Sequence, residues 1–539
     1  MKRKLAALAL SVSLISSMIA GCSSKPENTP GGTAVESAGT ESAGGGTSLV
    51  ISIDKDAPSL GPLNGFGSGV DYTRRQAFET LCSMNADQTL EYCIAKEIQE
   101  KGDGVYDIVL YDYVHDVENN PLKASDVVYV FDNAVQSGYY SSEFSTVEKY
   151  EAIDENTVEL TFSNEKIGQL EAILCGVAMY TKAAYEASGD QMAQKPVGTK
   201  PYKLTDAVSG SYYTYEKTDN YWQTDEALVC TSSKSNVDTV KFTVITDETT
   251  AAIALQNGEI DKPSGVAAVD YGNFVDENWN SREGYTTMIA ESNKVFHLVF
   301  NCSDNSPCAD VNLRKAIAYC VDASTIAENI RGEMAYTVAG GLANQIWLDA
   351  DKSKDPGSYY AFNLDTAKEY LGKSSYNGEE ISLTAQNSSV HPTIATLIQA
   401  YCAEAGINVK VNVVETAVYN TVKNDASGTQ FDILLGYEGA KSYYTWSANF
   451  ALDVNTYGGE TCLLGIHDEK LQSLFDAAAS KKTASPENTK ALLDYSEEMC
   501  YIYGLYANKN LIVSDDKVQD IVLDWDNNFI SGACTVLSE

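Results

Sequence analysis

The alternation of strand-like and helix-like segments between Phe296 and Leu435 constrains the fold more than any other feature of the chain. Phe296 to Phe300 is a short apolar run bearing two aromatic residues, the pattern of a buried strand. Asp310 stands where a helix cap is expected, ahead of Leu313, Ala316, Ile317 and Cys320 on one helical face. A second helix is expected from Ser324 to Arg331, ending at Gly332. Ile381 to Ala385 then reads as a strand, Thr393 to Ala405 as a helix closed by Gly406, and Val409 to Val414 and Phe431 to Leu435 as two more strands. Single strands that alternate with helices define α/β lobes, in which each helix covers a sheet face.

The first half follows the same rules with weaker punctuation. Leu49 to Ile53 is apolar and β-branched, a strand, and a Gly/Pro-rich loop follows from Pro58 to Gly69. Val105 to Tyr113, Val158 to Phe162, Tyr212 to Glu216 and Val240 to Ile245 also read as strands. Ser125 is expected to cap a helix carrying Val127, Val130, Phe131 and Ala134 on one face, and Asp247 to Asn257 a helix that stops at Gly258. With 539 residues, 44% of them hydrophobic, the chain exceeds one domain, and it has no internal repeat.

The N-terminus bears on location. Lys2, Arg3 and Lys4 precede an apolar stretch, Leu5 to Ala20, diluted by serines. It is shorter and less apolar than the roughly 20 strongly apolar residues of a membrane span, and with its basic flank it reads as a secretory signal. Ile19-Ala20-Gly21-Cys22-Ser23 resembles the lipobox of bacterial lipoproteins. That resemblance implies a diacylated Cys22 as the mature N-terminus, and two acyl chains are what stable anchoring requires. Ser23 to Ser48 is Gly-, Ser-, Thr- and Pro-rich, too polar to bury a core, and reads as a tether with a span of roughly 25–30 Å.

Charge excludes some partners. Lys+Arg is 38 against Asp+Glu 75, a formal charge of −37, which argues against nucleic acid and against lying flat on anionic lipid. Of the 12 cysteines, those left after Cys22 are odd in number, and none forms Cys-x-x-Cys. Many unpaired thiols on an exported chain suit a reducing or anaerobic habitat. Cys302 and Cys308 are the only close pair, open to a disulfide or to two core thiols. His115, His297, His391 and His467 are scattered, and Asp349-Ala350-Asp351 opens like a calcium loop with Lys354 where glycine is needed, so no metal site and no cofactor are expected. Neither Gly-x-Ser-x-Gly nor His-Glu-x-x-His occurs. An exported lipoprotein enzyme acting on envelope or extracellular polymer is the main alternative, because carboxylates are plentiful, yet nothing in the sequence pairs them.

Lys123 to Val127, Pro196 to Tyr202, Asn220 to Trp222, Gly258 to Asp261 and His297 to Gly332 resemble segments of the extracellular solute-binding proteins, family 5, that serve oligopeptide, dipeptide and nickel importers. Lys123-Ala124-Ser125-Asp126-Val127 stands in the place of a helix opened by Thr-Ala-Glu-Asp-Val. Pro196-Val197-Gly198-Thr199-Lys200-Pro201-Tyr202 resembles a Gly-Thr-Gly-Pro-Tyr turn, with Lys200 for the second glycine. Asn220-Tyr221-Trp222 and Gly258-Glu259-Ile260-Asp261 are similar to further family pieces. The fullest likeness runs from His297 to Gly332 through Phe300-Asn301, Pro307, Asp310-Val311, Leu313-Arg314, Ala316-Ile317-Ala318, Val321-Asp322 and Ile326. Ala405 to Val409 and Phe431 to Leu434 continue it.

The resemblance implies an α/β, two-lobed periplasmic-binding-protein fold (type II, cluster C) with an extra domain on the first lobe. The implied order is a signal (1–21), a lipidated tether (22–48), lobe I (49–75), the extra domain (76–190), lobe I again (191–292), lobe II (293–503) and a return to lobe I (504–539). It further implies a non-enzymatic, lipid-anchored component of an ABC importer on the outer face of the bacterial cytoplasmic membrane. Its partners would be permease subunits and a small solute, a peptide first, trapped between lobes by hinge closure. The cleft-facing loop would run from Gly436 to Trp446, where peptide binders usually carry an aspartate for the ligand's α-amino group. Here none is present and Glu438 is the substitute, with Tyr437, Tyr443, Tyr444 and Trp446 as stacking and hydroxyl groups. Gly67 and Ser68 of the early glycine loop, which permits close backbone approach, and Asn301 complete the expected ligand-binding set.

Overall fold

The computed structural model describes residues 46–63, 68–102, 104–338, 360–388, 390–423, 430–439 and 468–537. Its first sheet begins where the apolar alternation begins. β1 (Ser48–Ile53) lies parallel to β10 (Thr239–Val244), followed by antiparallel β9 (Tyr212–Lys217) and β8 (Tyr202–Val208). Leu49, Ile51 and Ile53 are fully buried and stand in register with Val240, Phe242 and Val244, so the period-two pattern puts one face of the sheet inward. Each such side chain contributes roughly 1.5–3 kcal/mol on burial.

A second four-stranded sheet has the order β4 (Ala95–Gly102), β5 (Val105–Leu110), β7 (Thr157–Phe162), β6 (Val147–Ala152), beside a small pair, β2 (Cys82–Met84) and β3 (Leu90–Tyr92). The strand expected to reach Tyr113 stops at Leu110, because the chain turns into a hairpin closed by the His115–Pro121 bridge. Asp116 organises that hairpin, accepting from the N–H groups of Glu118 (2.9 Å) and Asn120 (3.0 Å) and from Asn120 Nδ2 (2.9 Å). α2 (Ala124–Ser137) buries Val127, Val130, Phe131 and Ala134, the face expected from the sequence. Its cap is Lys123 rather than Ser125, because Asp126 lies three residues on and accepts the Lys123 N–H at 2.8 Å. α3 (Gln169–Gly176) and α4 (Lys182–Ser188) complete this part, and both sheets share one hydrophobic core.

The third sheet is six-stranded: β12 (Ala335–Thr337), β16 (Ile502–Asp515), β11 (Tyr285–Phe300), β15 (Ile433–Gly439), β13 (Ile381–Gln386), β14 (Val409–Val414). Parallel β13 and β14 are joined by α9 (His391–Ala405), a βαβ crossover closed by Gly406 in the left-handed region at φ 92°. α6 (Val311–Cys320) is capped by Asp310 as expected, and α7 (Ala323–Arg331) by Asp322, two residues before the expected start. α8 (Leu364–Lys373), α10 (Thr416–Lys423), α11 (Glu469–Ala479) and α12 (Pro486–Met499) add further cover. The cores around this sheet, one containing Leu298, Ile317 and Ile398 and another containing Leu434, Phe475 and Leu492, are separate from the core of the first two sheets. Each body thus buries its own apolar surface.

β11 and β16 link the bodies. Their ladder runs from Tyr285–Asp515 to Val299–Ile502 and breaks register between Glu291 and Val295. At one end Leu511 and Val513 pack with α5 (Glu248–Gln256), Tyr271 and Phe274, while at the other Phe296, Leu298 and Leu505 belong to the second body. The final strands, β17 (Val518–Gln519) and β18 (Thr535–Val536), return to the first body, where Val518, Phe529, Cys534 and Val536 join its core. This is a two-lobed α/β architecture, as expected for the chain. Cys302 and Cys308 are not joined by a disulfide, and Cys302 Sγ donates to the Phe300 carbonyl at 3.5 Å. Among the described residues no helix is long and apolar enough to cross a membrane.

Candidate functional site

A cavity of about 1070 Å³ is lined by residues of both bodies. One wall comes from α1 (Ser68–Ala77), which presents Tyr72, Arg74 and Arg75. Ser68 and Gly69, expected in a loop, open this helix. Arg74 pairs with Asp71 at 2.6 Å, one helical turn away, and Arg75 Nη1 pairs with Asp524 at 2.5 Å. Asp524 is held rigidly. It accepts from the N–H groups of Asp526 and Asn528, both at 2.9 Å, and from Asn528 Nδ2 at 3.0 Å. The same turn chemistry holds Asp116, which fixes the guanidinium partner on a stiff hairpin rather than a free loop. Tyr72 packs against Phe242 at 5.9 Å, and burial pushes its phenol up to about 12, so it stays a neutral hydroxyl.

The second body contributes Lys294, from the register break in β11, and Tyr437, from β15. Tyr437 stacks on Phe296 at 4.2 Å, and Phe296 on Tyr506 at 4.7 Å, so a pile of three rings backs the cavity wall. The Tyr437 hydroxyl accepts from Asn508 Nδ2 at 3.2 Å and lies 3.4 Å from Ser292 Oγ. Lys294 Nζ stands 6.0 Å from the Tyr437 ring centre. The extra sheet's helix α3 adds Glu171 and Cys175, and the C-terminal hairpin adds Trp525 and Phe529.

The charges in this cavity nearly balance, unlike those of the chain as a whole. Asp54, Asp71, Glu143, Glu171, Glu248, Asp524 and Asp526 face Lys55, Arg74, Arg75, Lys200, Lys234 and Lys294. Burial holds the Glu248 carboxyl above its ordinary range. Lys200, the departure from the family's second glycine, is buried in the wall and donates to the Ser232 carbonyl.

Of the expected ligand-binding residues, Tyr437 lines this cavity. Asn301 is 1% exposed and not on its wall. Its Nδ2 donates to the Phe431 carbonyl at 2.7 Å and its Oδ1 accepts from Ser303 N–H at 3.0 Å. Glu438 pairs with Val295 in the β11–β15 ladder. Gly67, Tyr443, Tyr444, Trp446, Cys22, His467 and the segment Asp349 to Lys354 lie outside the described residues. His115, His297 and His391 are apart, bonded to Asp116 carbonyl, Val295 carbonyl and Ser388 Oγ respectively. Sequence reasoning missed Arg74, Arg75, Lys294 and the hairpin Asp524 to Phe529. The repeated Asp-x-x-Asn-Asn of Asp116 and Asp524 was a usable signal for the hairpin.

The profile of the bacterial extracellular solute-binding proteins, family 5 Middle, matches residues 90–458, and the chain belongs to that family. It is 23% identical over 545 residues to the oligopeptide-binding protein AppA of Bacillus subtilis (strain 168), covering 96% of each chain. Among solved structures it resembles a dipeptide-binding protein of Pseudoalteromonas sp. SM9913 in complex with Met-Leu (TM-score 0.76, 16% identity, 91% of this chain and 100% of that one). It also resembles NikA of Staphylococcus aureus in complex with Ni(L-His)2 (TM-score 0.72, 16% identity, 91% and 100%).

Proposed function

We propose that the chain is the membrane-anchored, extracytoplasmic substrate-binding component of an ABC importer. It captures a peptide or a similar small solute by lobe closure and delivers it to permease subunits. In this reading Cys22 carries the lipid, residues 22–48 are the tether, lobe I comprises 49–75, 191–292 and 504–539, the extra domain 76–190 and lobe II 293–503. The chain carries out no catalytic step.

The observation that carries the reading is the charge-balanced, aromatic-walled cavity shared by two separately cored bodies. A solute with both a cationic and an anionic end finds partners of each sign there, and its contacts with Arg75 and Asp524 on one side and Lys294 and Tyr437 on the other would favour the closed arrangement. Among the relatives, AppA is an oligopeptide-binding protein and the Pseudoalteromonas protein holds Met-Leu, a dipeptide whose two free ends carry opposite charges. Of the ligand residues named from the sequence, Tyr437 takes the stacking role, and the reading retains Glu438, Tyr443, Tyr444, Trp446, Gly67, Ser68 and Asn301 as its further candidates.

Thermal-shift screening of the chain from Leu49 onward with peptides, oligosaccharides, opines and metal chelates tests it. A solute at 100 times its dissociation constant adds about 2.7 kcal/mol of stability. The expected result is a selective rise with peptides that Tyr437→Ala weakens. A rise confined to oligosaccharides would replace the solute class, and cleavage of any of the library compounds would replace the function.

A further inference from the structure

At the rim of the cavity, where Ile167 and Gly168 line it, the extra sheet and the second body are joined by contacts that do not involve the β11–β16 ribbon. One side is the segment Asn164–Ile167 that follows β7, and the other is the turn between α11 and α12. The helix α11 is fixed to the second body by Leu471, Phe475, Ala478 and Ala479. The N–H of Ile167 donates to the Ala479 carbonyl at 2.8 Å and the N–H of Lys481 to the Glu165 carbonyl at 2.9 Å, so Lys166 and Ser480 pair as an antiparallel bridge. Ser480 Oγ donates to Asn164 Oδ1 at 2.9 Å.

A charged cluster reinforces the bridge. Tyr106 of β5 donates its hydroxyl to Glu165 Oε2 at 2.5 Å, and Lys481 Nζ donates to the same Tyr106 oxygen. Lys481 Nζ also lies 3.5 Å from Glu165 and 3.4 Å from Glu100. The Glu165 side chain is 7% exposed and that of Lys481 43% exposed. A buried carboxylate that loses its cation is costly, so the cluster resists partial opening. The outer part of Lys481 already meets water, which can replace the lost partners once the two sides separate.

We infer that this bridge is a latch for lobe closure: it forms when the cleft shuts, adds to the solute's own contacts, and releases as one unit when the cleft opens. The inference rests on the closure reading above. The ribbon supplies the pivot, since its ladder is broken between Glu291 and Val295, whereas the latch consists of a few main-chain bonds that break without unravelling either sheet.

Hydrogen exchange and small-angle scattering of the exported chain test it, with the double variant Tyr106→Phe/Lys481→Ala and, as a second variant, Lys481→Met. The expected result is exchange at the Ile167 and Lys481 amides about tenfold faster in the variants, the factor that corresponds to about 1.4 kcal/mol, with a larger radius of gyration and an unchanged melting temperature. Unchanged exchange at those amides overturns the latch, and so does a general rise in exchange with a lowered melting temperature, which marks a fixed structural dock. A pool of random pentapeptides is the separate arm. Contraction of the wild type on adding the pool, with Ile167 and Lys481 no slower in exchange, overturns the latch and leaves closure standing. Variants that scatter like the wild type, in a protein that the pool does not contract, overturn both.

Discussion

Arg314 on α6 reaches the carbonyl of Met499, 185 residues later, and donates to it from Nη2 at 2.7 Å. The same guanidinium donates from Nε to Cys500 (3.0 Å) and from Nη1 to Cys308 and Ala309 (both 2.8 Å), while being 2% exposed. It ties the end of α12 to the short 3-10 turn Pro307–Ala309 ahead of α6, and supplies donors to carbonyls at the ends of both. Arg314→Met leaves those carbonyls unpaired and is expected to lower stability by about 3 kcal/mol. Arg314→Lys should recover only part of that, because one ammonium cannot reproduce the planar fork. Urea unfolding of both variants checks this, and equal stability of all three proteins would refute it.

Gly198 is expected to tolerate no side chain. A Cβ there would lie 2.0 Å from the Ala77 carbonyl oxygen and 2.8 Å from the Phe78 ring. Neither neighbour can give way, since Ala77 ends α1 and its carbonyl accepts the Lys200 N–H. Gly198→Ala should therefore cost about 2–3 kcal/mol, an overpacking effect. An unchanged denaturation midpoint would show that the close approach does not exist in solution.

Lys262 is 4% exposed, donates to the Pro263 carbonyl at 3.0 Å and stands 5.1 Å from the Phe529 ring centre. Burial pushes its ammonium down to about 8 from the ordinary 10.5. With the folded value lowered, the unfolded chain holds the proton more tightly, so stability should rise as pH climbs from about 8 towards 10.5. Lys262→Met is expected to add about 2–3 kcal/mol near neutral pH and to abolish that slope. Chemical denaturation at several pH values measures both.

Acid should act through three helix caps. Burial pushes the carboxyls of Asp310, Asp322 and Asp468 up, but hydrogen bonds outweigh it and hold all three below the ordinary 3.8. The bonds come from the N–H of Ser375 to Asp310, from Ser324 and Thr325 to Asp322, and from the Tyr501 and Tyr495 hydroxyls to Asp468. A lowered folded value means the stabilisation is complete above 3.8 and is lost as pH falls through the folded values. Glu165 and Glu248, both raised by burial, act in the opposite sense. Asp468→Asn should lower the melting temperature at neutral pH and flatten its decline in acid. A variant whose acid profile overlays the wild type's would count against the cap.

What could be read from the sequence follows from the range of the forces involved. α6 and α9 were legible because local signals lie within each segment: the Asp310 cap and an apolar face to Cys320 for α6, and an apolar face from Ile394 closed by Gly406 for α9. β11 was recognised only at Phe296 to Phe300, since the stretch before it carries Glu291, Ser292, Asn293 and Lys294 and becomes a strand by pairing with β16. Tyr437 was reached through resemblance. The opposite wall was not, because Arg75 and Asp524 meet across 449 residues and neither has a local pattern that predicts the other. The Asx hairpin at Asp524 was locally encoded, but nothing local says that it faces a cavity.

The return of the last strands to the first core has a consequence for biosynthesis. Val518, Phe529, Cys534 and Val536 pack among residues as early as Leu49 and Ile51, so that core stays incomplete until Val518 to Val536 are available to it. The core of the second body, drawn from residues between Phe296 and Tyr506, also needs late residues, Cys500 to Tyr506, but is complete before Val518 to Val536 are reached. The two bodies should therefore close their cores in the reverse of their order in the sequence, the N-terminal body remaining unsealed until Val518 to Val536 reach it.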